Sequence, residues 1–325
     1  MMDRKPRNET EASSVEGKTA PGAGGEEVRT AEADPSPGGN EKIDEEEPGA
    51  AIDGKPEILI RPRTGWRIID FKELRQYRDL FFFLVWRDIK VLYAQTILGF
   101  AWAILQPLIQ IVIFTVVFGK VAKVSTEGLP YIVFSSAAII PWTYMSQAMT
   151  ASSQSLISGQ HMLGKVYFPR LIFPITPILA KMVDFAISML IVLGVAFYYN
   201  VRPTWNLALL PIFVLMMMSV SAGAGMWLSS MAIRFRDVKH AMPFVIRMLM
   251  YTAPIVYSAA TIPDQYRFYY SLNPLVGVVE GFRASLLGTP IAWNFIWPGM
   301  ISACLLLVAG AMYFRRMERV FVDVI

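Results

Sequence analysis

The sequence predicts an all-α integral membrane protein with six transmembrane helices. Three observations carry this. The 325 residues are 54% hydrophobic and only 17% charged, against about 25% charged in an average soluble domain. Six apolar stretches are each about 20 residues long, enough to cross a bilayer as a helix. Basic residues cluster in alternate connections between those stretches, as they do when one side of the membrane retains positive charge.

The chain begins with a segment of a different kind. Residues 1–54 hold 14 Asp plus Glu and 6 Lys plus Arg, and no aromatic residue or Leu. Such a composition cannot bury enough apolar surface to offset its ordering entropy, so a disordered acidic tail is expected. The start, MMDRKPRNETEASS, lacks the apolar core of a signal peptide. The rest of the chain carries 12 acids and 24 bases, a net of +12. These bases flank apolar spans, so anionic lipid headgroups explain them and nucleic acid does not.

The expected spans are residues 97–118, 131–151, 171–199, 205–233, 242–260 and 293–314. Lys181 and Asp184 interrupt the third and Arg247 interrupts the fifth. Residues 272–287 are too short and too rich in Gly to span, and read as a re-entrant or interfacial helix. With six spans, 17 bases fall on the side of both termini and five fall opposite: Lys120, Lys123, Arg202, Arg267 and Arg283. Both termini are therefore expected in the cytoplasm, with residues 55–96 as a cytoplasmic segment, 97–314 as the transmembrane domain and 315–325 as a short tail.

Before the first span, FKELRQYRDLFFFLVWRDIK (71–90) mixes charges with Phe, Leu and Trp. One polar and one aromatic-apolar face describe an N-terminal amphipathic helix lying in the interface. Arg87, Asp88 and Lys90 argue against an early start of span one.

Catalytic machinery is scarce. The two histidines, His161 and His240, fall in expected cytoplasmic loops, and the lone Cys304 lies in an apolar run. No metal-binding cluster or disulfide framework follows. Gly159 to Lys165 matches G-x-x-x-x-G-K, but Val166 stands where a nucleotide loop needs a Ser or Thr hydroxyl for magnesium, and no strand precedes it. ATP must therefore bind another chain if it is used. The same loop, SLISGQHMLGKVYFPRLIFP, holds a short apolar-basic stretch suited either to a plain connection or to docking a cytoplasmic partner.

Lys181 and Asp184 are spaced i, i+3 on one helix face and can pair within the membrane. Ser221, Gly225 and Ser229 form a small-residue face that admits a neighbouring helix. Trp102, Trp142, Tyr144, Tyr251 and Tyr257 lie within or at the ends of spans. They suit core or headgroup packing, or a channel lined for the apolar faces of sugar rings.

Four stretches in order resemble the permease subunit of bacterial polysaccharide and polyol-phosphate ABC exporters, of the ABC-2 class. They are LVWRDIKVLYAQTILGFAWAILQPL (84–108), KVYFPRLIFP (165–174), FRDVKH (235–240) and SLNPLVGVVEGFRASLLG (271–288). The sequence departs from that pattern at Leu92 and Ala94, where the family usually has a base. The resemblance implies a homodimer of permeases with two cytoplasmic ATPase subunits, which hold the ATP and magnesium. No cofactor is implied in this chain. It implies short re-entrant periplasmic helices between spans five and six, within 263–288. It further implies that the interfacial helix and the loop Gln160, His161, Met162, Leu163, Lys165 and Arg170 contact the ATPases. A polysaccharide on a polyprenyl-diphosphate lipid would pass outward, its phosphates favouring bases such as Arg87, Lys90 or Arg170.

The leading expectation is thus the membrane subunit of an inner-membrane exporter of lipid-linked glycan, such as O-antigen. The alternatives are an ABC-2 exporter of small hydrophobic molecules and a membrane-embedded glycan- or lipid-transfer enzyme. The enzyme should place acids or histidines together at one membrane face, and the sequence offers no such cluster.

Overall fold

The structure, a computed structural model, describes residues 75–94, 101–126, 128–163, 169–201, 204–235 and 237–318. All of them fall in one compact unit, Thr64–Ile325. The expected tail 1–54, the first residues of span one, Lys165, and the end of the chain after Glu318 lie outside the described residues.

Every described element is helical. α1 is Arg78–Tyr93. α2, Ala101–Phe114, continues as a π-helical turn, Thr115–Val121. α3 is Tyr131–Ser158, α4 the short Gln160–Leu163, and α5 Ile172–Tyr198. A 3₁₀ turn, Trp205–Leu209, leads into α6, Leu210–Arg234. α7, Val238–Met248, runs into a second 3₁₀ turn, Leu249–Thr252. A third, Ala259–Thr261, precedes α8, Asp264–Ser271; α9 is Pro274–Leu287 and α10 is Trp293–Glu318.

Among the described residues, four helical stretches are long and apolar enough to cross a membrane: Ala101–Val121, Ile172–Tyr198, Trp205–Arg234 and Trp293–Glu318. The second expected span differs from these. α3 has 28 residues, about 42 Å at the rise of an α-helix, but it is less apolar because protein surrounds it. It packs on α2, α5, α6, α7 and α9. Its Ser136, Ser152 and Ser153 are buried, and each hydroxyl donates to a backbone carbonyl, of Val133, Pro174 and Thr150 respectively. Small hydroxyl residues that satisfy themselves this way let helices approach closely.

The fifth expected span, 242–260, is not one continuous helix. After the 3₁₀ turn, Ala253 is extended, with φ −107° and ψ 152°. Pro254 follows it, and the residue before a proline is driven out of the α conformation. The segment packs on α3. It starts beside the C-terminal end of α6, and Val256 lies against Tyr131 at the start of α3.

Glycines set the closest helix contacts. A Cβ on Gly223 of α6 would fall 2.6 Å from the Leu306 backbone of α10, and one on Gly310 would collide with the Gly223 backbone. A Cβ on Gly225 would strike Ser152 of α3. Ser221 and Ser229 are also fully buried, so the small-residue face of α6 is used within the protomer.

Candidate functional site

Among the described residues, three places concentrate polar chemistry. The first is the end of the bundle where α1, the α3–α5 connection and the tail of α10 converge. Leu84 of α1, Leu156 of α3, Leu171, Ile172 and Phe173 at the start of α5, Met226 of α6, and Ala311, Phe314 and Met317 of α10 form one buried apolar cluster. Half-buried Tyr77, Leu80, Phe81 and Met162 pack on it. A Cβ on Gly159 would run into the Phe173 ring. That glycine, the first of the G-x-x-x-x-G-K match, is therefore explained by packing; it also follows a helix, not the strand a nucleotide loop requires.

Around this cluster sit the residues expected to meet a cytoplasmic partner. Gln160 is exposed and Met162 is half-buried. Arg170 Nη1 donates to the Glu318 carbonyl at 2.9 Å, and Arg315 pairs with the Glu318 carboxylate at 2.8 Å. Arg170 is thus fastened to the last turn of α10, where basic groups suit the negative end of the helix dipole. His161 and Leu163 belong to α4. On α1, Arg87 and Lys90 are exposed. Arg87 pairs with its neighbour Asp88 at 2.8 Å, and Lys90 lies over the Trp86 ring, 5.5 Å from its centre. The outward side of α1 also exposes Phe82, Phe83 and Trp86.

The second place is a cleft of about 250 Å³ between α1, α2, α3 and α5. Tyr93, Trp102, Gln106, Thr143, Tyr144, Gln147, Lys181, Asp184 and Ser188 contribute to its wall. Lys181 Nζ lies 2.9 Å from Asp184 Oδ2, and the Tyr93 hydroxyl donates to Asp184 Oδ1 at 2.5 Å. One carboxylate so joins the last turn of α1 to the middle of α5. Burial, and then this bond to a carboxylate, push the Tyr93 hydroxyl pKa well up, so it stays a donor.

The aromatic candidates separate. Trp142 and Tyr144 are 3% exposed and belong to the core; Tyr144 donates to the Ile178 carbonyl at 3.0 Å. Trp102, at 46%, and Tyr251, at 65%, are exposed. Tyr257 is half-buried, its hydroxyl 3.0 Å from that of Tyr270.

The third place was not singled out from the sequence. Arg283 of α9 is 3% exposed. Its Nη1 is 2.9 Å from Glu280 Oε1 and also donates to the Tyr257 carbonyl at 3.2 Å. Its Nη2 donates to the Ile255 carbonyl at 3.1 Å. The guanidinium lies 3.8 Å from the centre of the Phe134 ring. The signal in the sequence was an i, i+3 pair of opposite charges inside a short, otherwise uncharged apolar stretch.

Among the described residues no group of three His, Cys, Asp or Glu could hold a metal.

Comparison with known proteins agrees with this architecture. Residues 79–287 match the ABC-2 type transporter family. The O-antigen export system permease protein RfbA of Myxococcus xanthus is 26% identical over 251 residues, which span 76% of this chain and 96% of that protein. A protein of the same name from Klebsiella pneumoniae is 23% identical over 76% of this chain and 95% of its own length. The polysialic acid transport protein KpsM of Escherichia coli is 24% identical over 71% of this chain and 91% of its own length. Such proteins are transport permeases and not enzymes, with ATP hydrolysis in a separate subunit. The chain, with its helical bundle and its match across the body of that bundle, belongs to the ABC-2 type transporter family.

Proposed function

We propose that this chain is the membrane subunit of an ABC exporter that carries a lipid-linked polysaccharide of the O-antigen kind outward across the bacterial inner membrane. The observation that carries this reading is the alignment along 95–96% of relatives named as O-antigen export permeases. A further relative named for another polysaccharide supports the same substrate class. Two copies pair in the membrane and bind two cytoplasmic ATPase subunits. Those subunits supply ATP and magnesium; this chain holds no cofactor, and nucleic acid takes no part. The glycan enters on a polyprenyl-diphosphate carrier, with Arg87, Lys90 and Arg170 near the phosphates.

In this reading the chain crosses six times, with both termini cytoplasmic. α3 and the interrupted segment from Val238 to Val256 are the two crossings beyond the four most apolar ones. α1 lies in the interface with Phe82, Phe83 and Trp86 toward lipid, and α8 and α9 form the re-entrant pair on the periplasmic side. Force from the ATPases enters at Gln160 to Arg170. It spreads because the same apolar cluster holds α1, the start of α5 and the end of α10. The cleft beside Lys181 and Asp184 offers a polar wall inside an apolar bundle, which suits a glycan or headgroup better than a small hydrophobic molecule.

Two measurements test this. Deleting the gene should remove a polysaccharide from the cell surface and leave lipid-linked glycan inside, and the plasmid-borne gene should restore export. Unchanged surface glycan with altered sensitivity to small hydrophobic compounds would favour the alternative exporter. A cysteine at exposed Gln160, paired with one on the ATPase surface, should crosslink in membranes. A cysteine at Met162, which faces the apolar cluster, should crosslink less.

A further inference from the structure

A broken helix is expensive inside a bundle that sits in a membrane. Each carbonyl that leaves the helical ladder must find a donor, because lipid offers none. In the interrupted segment the donors come from elsewhere in the chain. Asn273 Nδ2 donates to the Thr252 carbonyl at 3.1 Å, while its Oδ1 accepts from Leu275 N at the start of α9. The Tyr131 hydroxyl donates to the Val256 carbonyl at 3.1 Å. Arg283 takes two carbonyls, of Ile255 and Tyr257. The segment these bonds hold is deeply covered, with Ala253 at 1% exposure and Ile255 at 0%.

A guanidinium is the one side chain whose planar fork can span two carbonyls and a carboxylate at once. Its surroundings here match that fork at both terminal nitrogens, while the buried Nε has no hydrogen-bond partner. Phe134 covers one face, Glu280 balances the charge, and the two carbonyls use nitrogens at its tip. The Ile255 and Tyr257 carbonyls belong to backbone that Pro254 has already taken out of the helix. Proline causes the interruption, and Arg283 gives it a fixed geometry.

We propose that Arg283 is a positioning residue for transport: it holds the segment from Ala253 to Ser258 in its non-helical form, and this cap, not the ion pair with Glu280, is what export requires. Glu280 balances the guanidinium charge in a buried site. Together they set where α7 ends and where α8 and α9 begin, and so where the fifth crossing opens toward the far side of the membrane.

The test uses the full permease with its ATPase in membranes, in a Cys304→Ser background that carries Ala253→Cys as a reporter. Arg283→Lys keeps the charge and a partner for Glu280, but a single ammonium cannot reproduce the fork. The double variant Glu280→Gln with Arg283→Gln removes the pair as a unit and leaves no orphaned charge. Both are expected to reach the membrane near the parental level and to lose surface polysaccharide by about tenfold or more, the scale of a lost hydrogen bond to a charged group. The reporter thiol should be protected from a membrane-permeant maleimide in the parent and reactive in both variants. The labelling needs no knowledge of the cargo, so it stands even if the polysaccharide reading fails. Normal export with a protected reporter thiol in either variant would overturn the proposal. So would failure of both variants to accumulate, because the bond would then serve insertion of the whole bundle.

Discussion

Two ion pairs sit inside this bundle with the same i, i+3 spacing and opposite consequences. Lys181 and Asp184 lie on α5, with side chains 18% and 23% exposed, at the wall of a cleft. Glu280 and Arg283 lie on α9, with side chains 15% and 4% exposed. The first pair reaches outward in the fold: its carboxylate takes the Tyr93 hydroxyl and ties α1 to α5. The second reaches inward, and its guanidinium completes backbone that proline has broken. An intramembrane charge is a pointer to function, but the pointer alone does not say whether the charge joins two elements or shapes one.

The difference can be broken by substitution, and the effects should fall in a definite order. Arg283→Met is expected to act most strongly. It takes the guanidinium from the Glu280 carboxylate and leaves two carbonyls without this donor, a loss of about 3–5 kcal/mol when one partner of a buried pair is removed. Thermal unfolding of the detergent-solubilised protein, followed by size-exclusion, should show a large drop in stability. Gly310→Ala comes next. The new methyl would meet the Gly223 backbone, which cannot move as a flexible side chain can, so about 1–3 kcal/mol of overpacking strain is expected. The same unfolding assay reads it, and Gly194→Ala, with open space around it, is the control.

Arg170→Glu should disturb coupling more than folding. It loses the bond to the Glu318 carbonyl and places a negative group at the negative end of α10. The expectation is near-normal membrane level, ATPase activity no longer matched by export, and partial retention of both in Arg170→Lys. Equal and parallel loss of protein and export in the glutamate variant would reduce Arg170 to an anchor. The smallest effect is expected from Asp184→Asn. The amide keeps an oxygen for Tyr93, and Lys181, which loses its carboxylate partner, stands at the wall of a cleft of about 250 Å³ that can admit water. Export should fall a few-fold at most, with limited proteolysis near α1 becoming faster.

The same contrast explains what the sequence could and could not reveal. Lys181 and Asp184 stood out because they interrupt a long apolar run, and their spacing alone brings them together. Arg283 looked like one of five bases on the outer side, because residues 272–287 are short and rich in Gly. Its partners are carbonyls of residues 255 and 257, and a carbonyl has no signature in a sequence. The clue available was local: Pro254 inside an apolar run predicts an extended Ala253, and so a broken helix. The long apolar helices were legible because a bilayer demands length and low charge together. α3 was legible as far as residue 151, where its apolar stretch ends. Its last turns, with Ser152, Ser153 and Ser155, are polar in composition but buried or half-buried by neighbouring helices. In the α3–α5 loop, Met162 reads as an anchor for a partner because it is apolar in a basic stretch. The structure gives it a place on the chain's own cluster and leaves Gln160 outward.

The most direct measurement sets the two pairs side by side. Neutral double variants, Lys181→Gln with Asp184→Asn and Glu280→Gln with Arg283→Gln, are compared for surface polysaccharide per unit of permease in the membrane. The α5 double variant is expected to stay within about threefold of the parent, because removing both charges together leaves neither one unpaired. The α9 double variant should fall by about tenfold or more. Equal export from both, or greater loss from the α5 variant, would contradict the claim that the α9 guanidinium shapes the transport path while the α5 pair ties a helix to it.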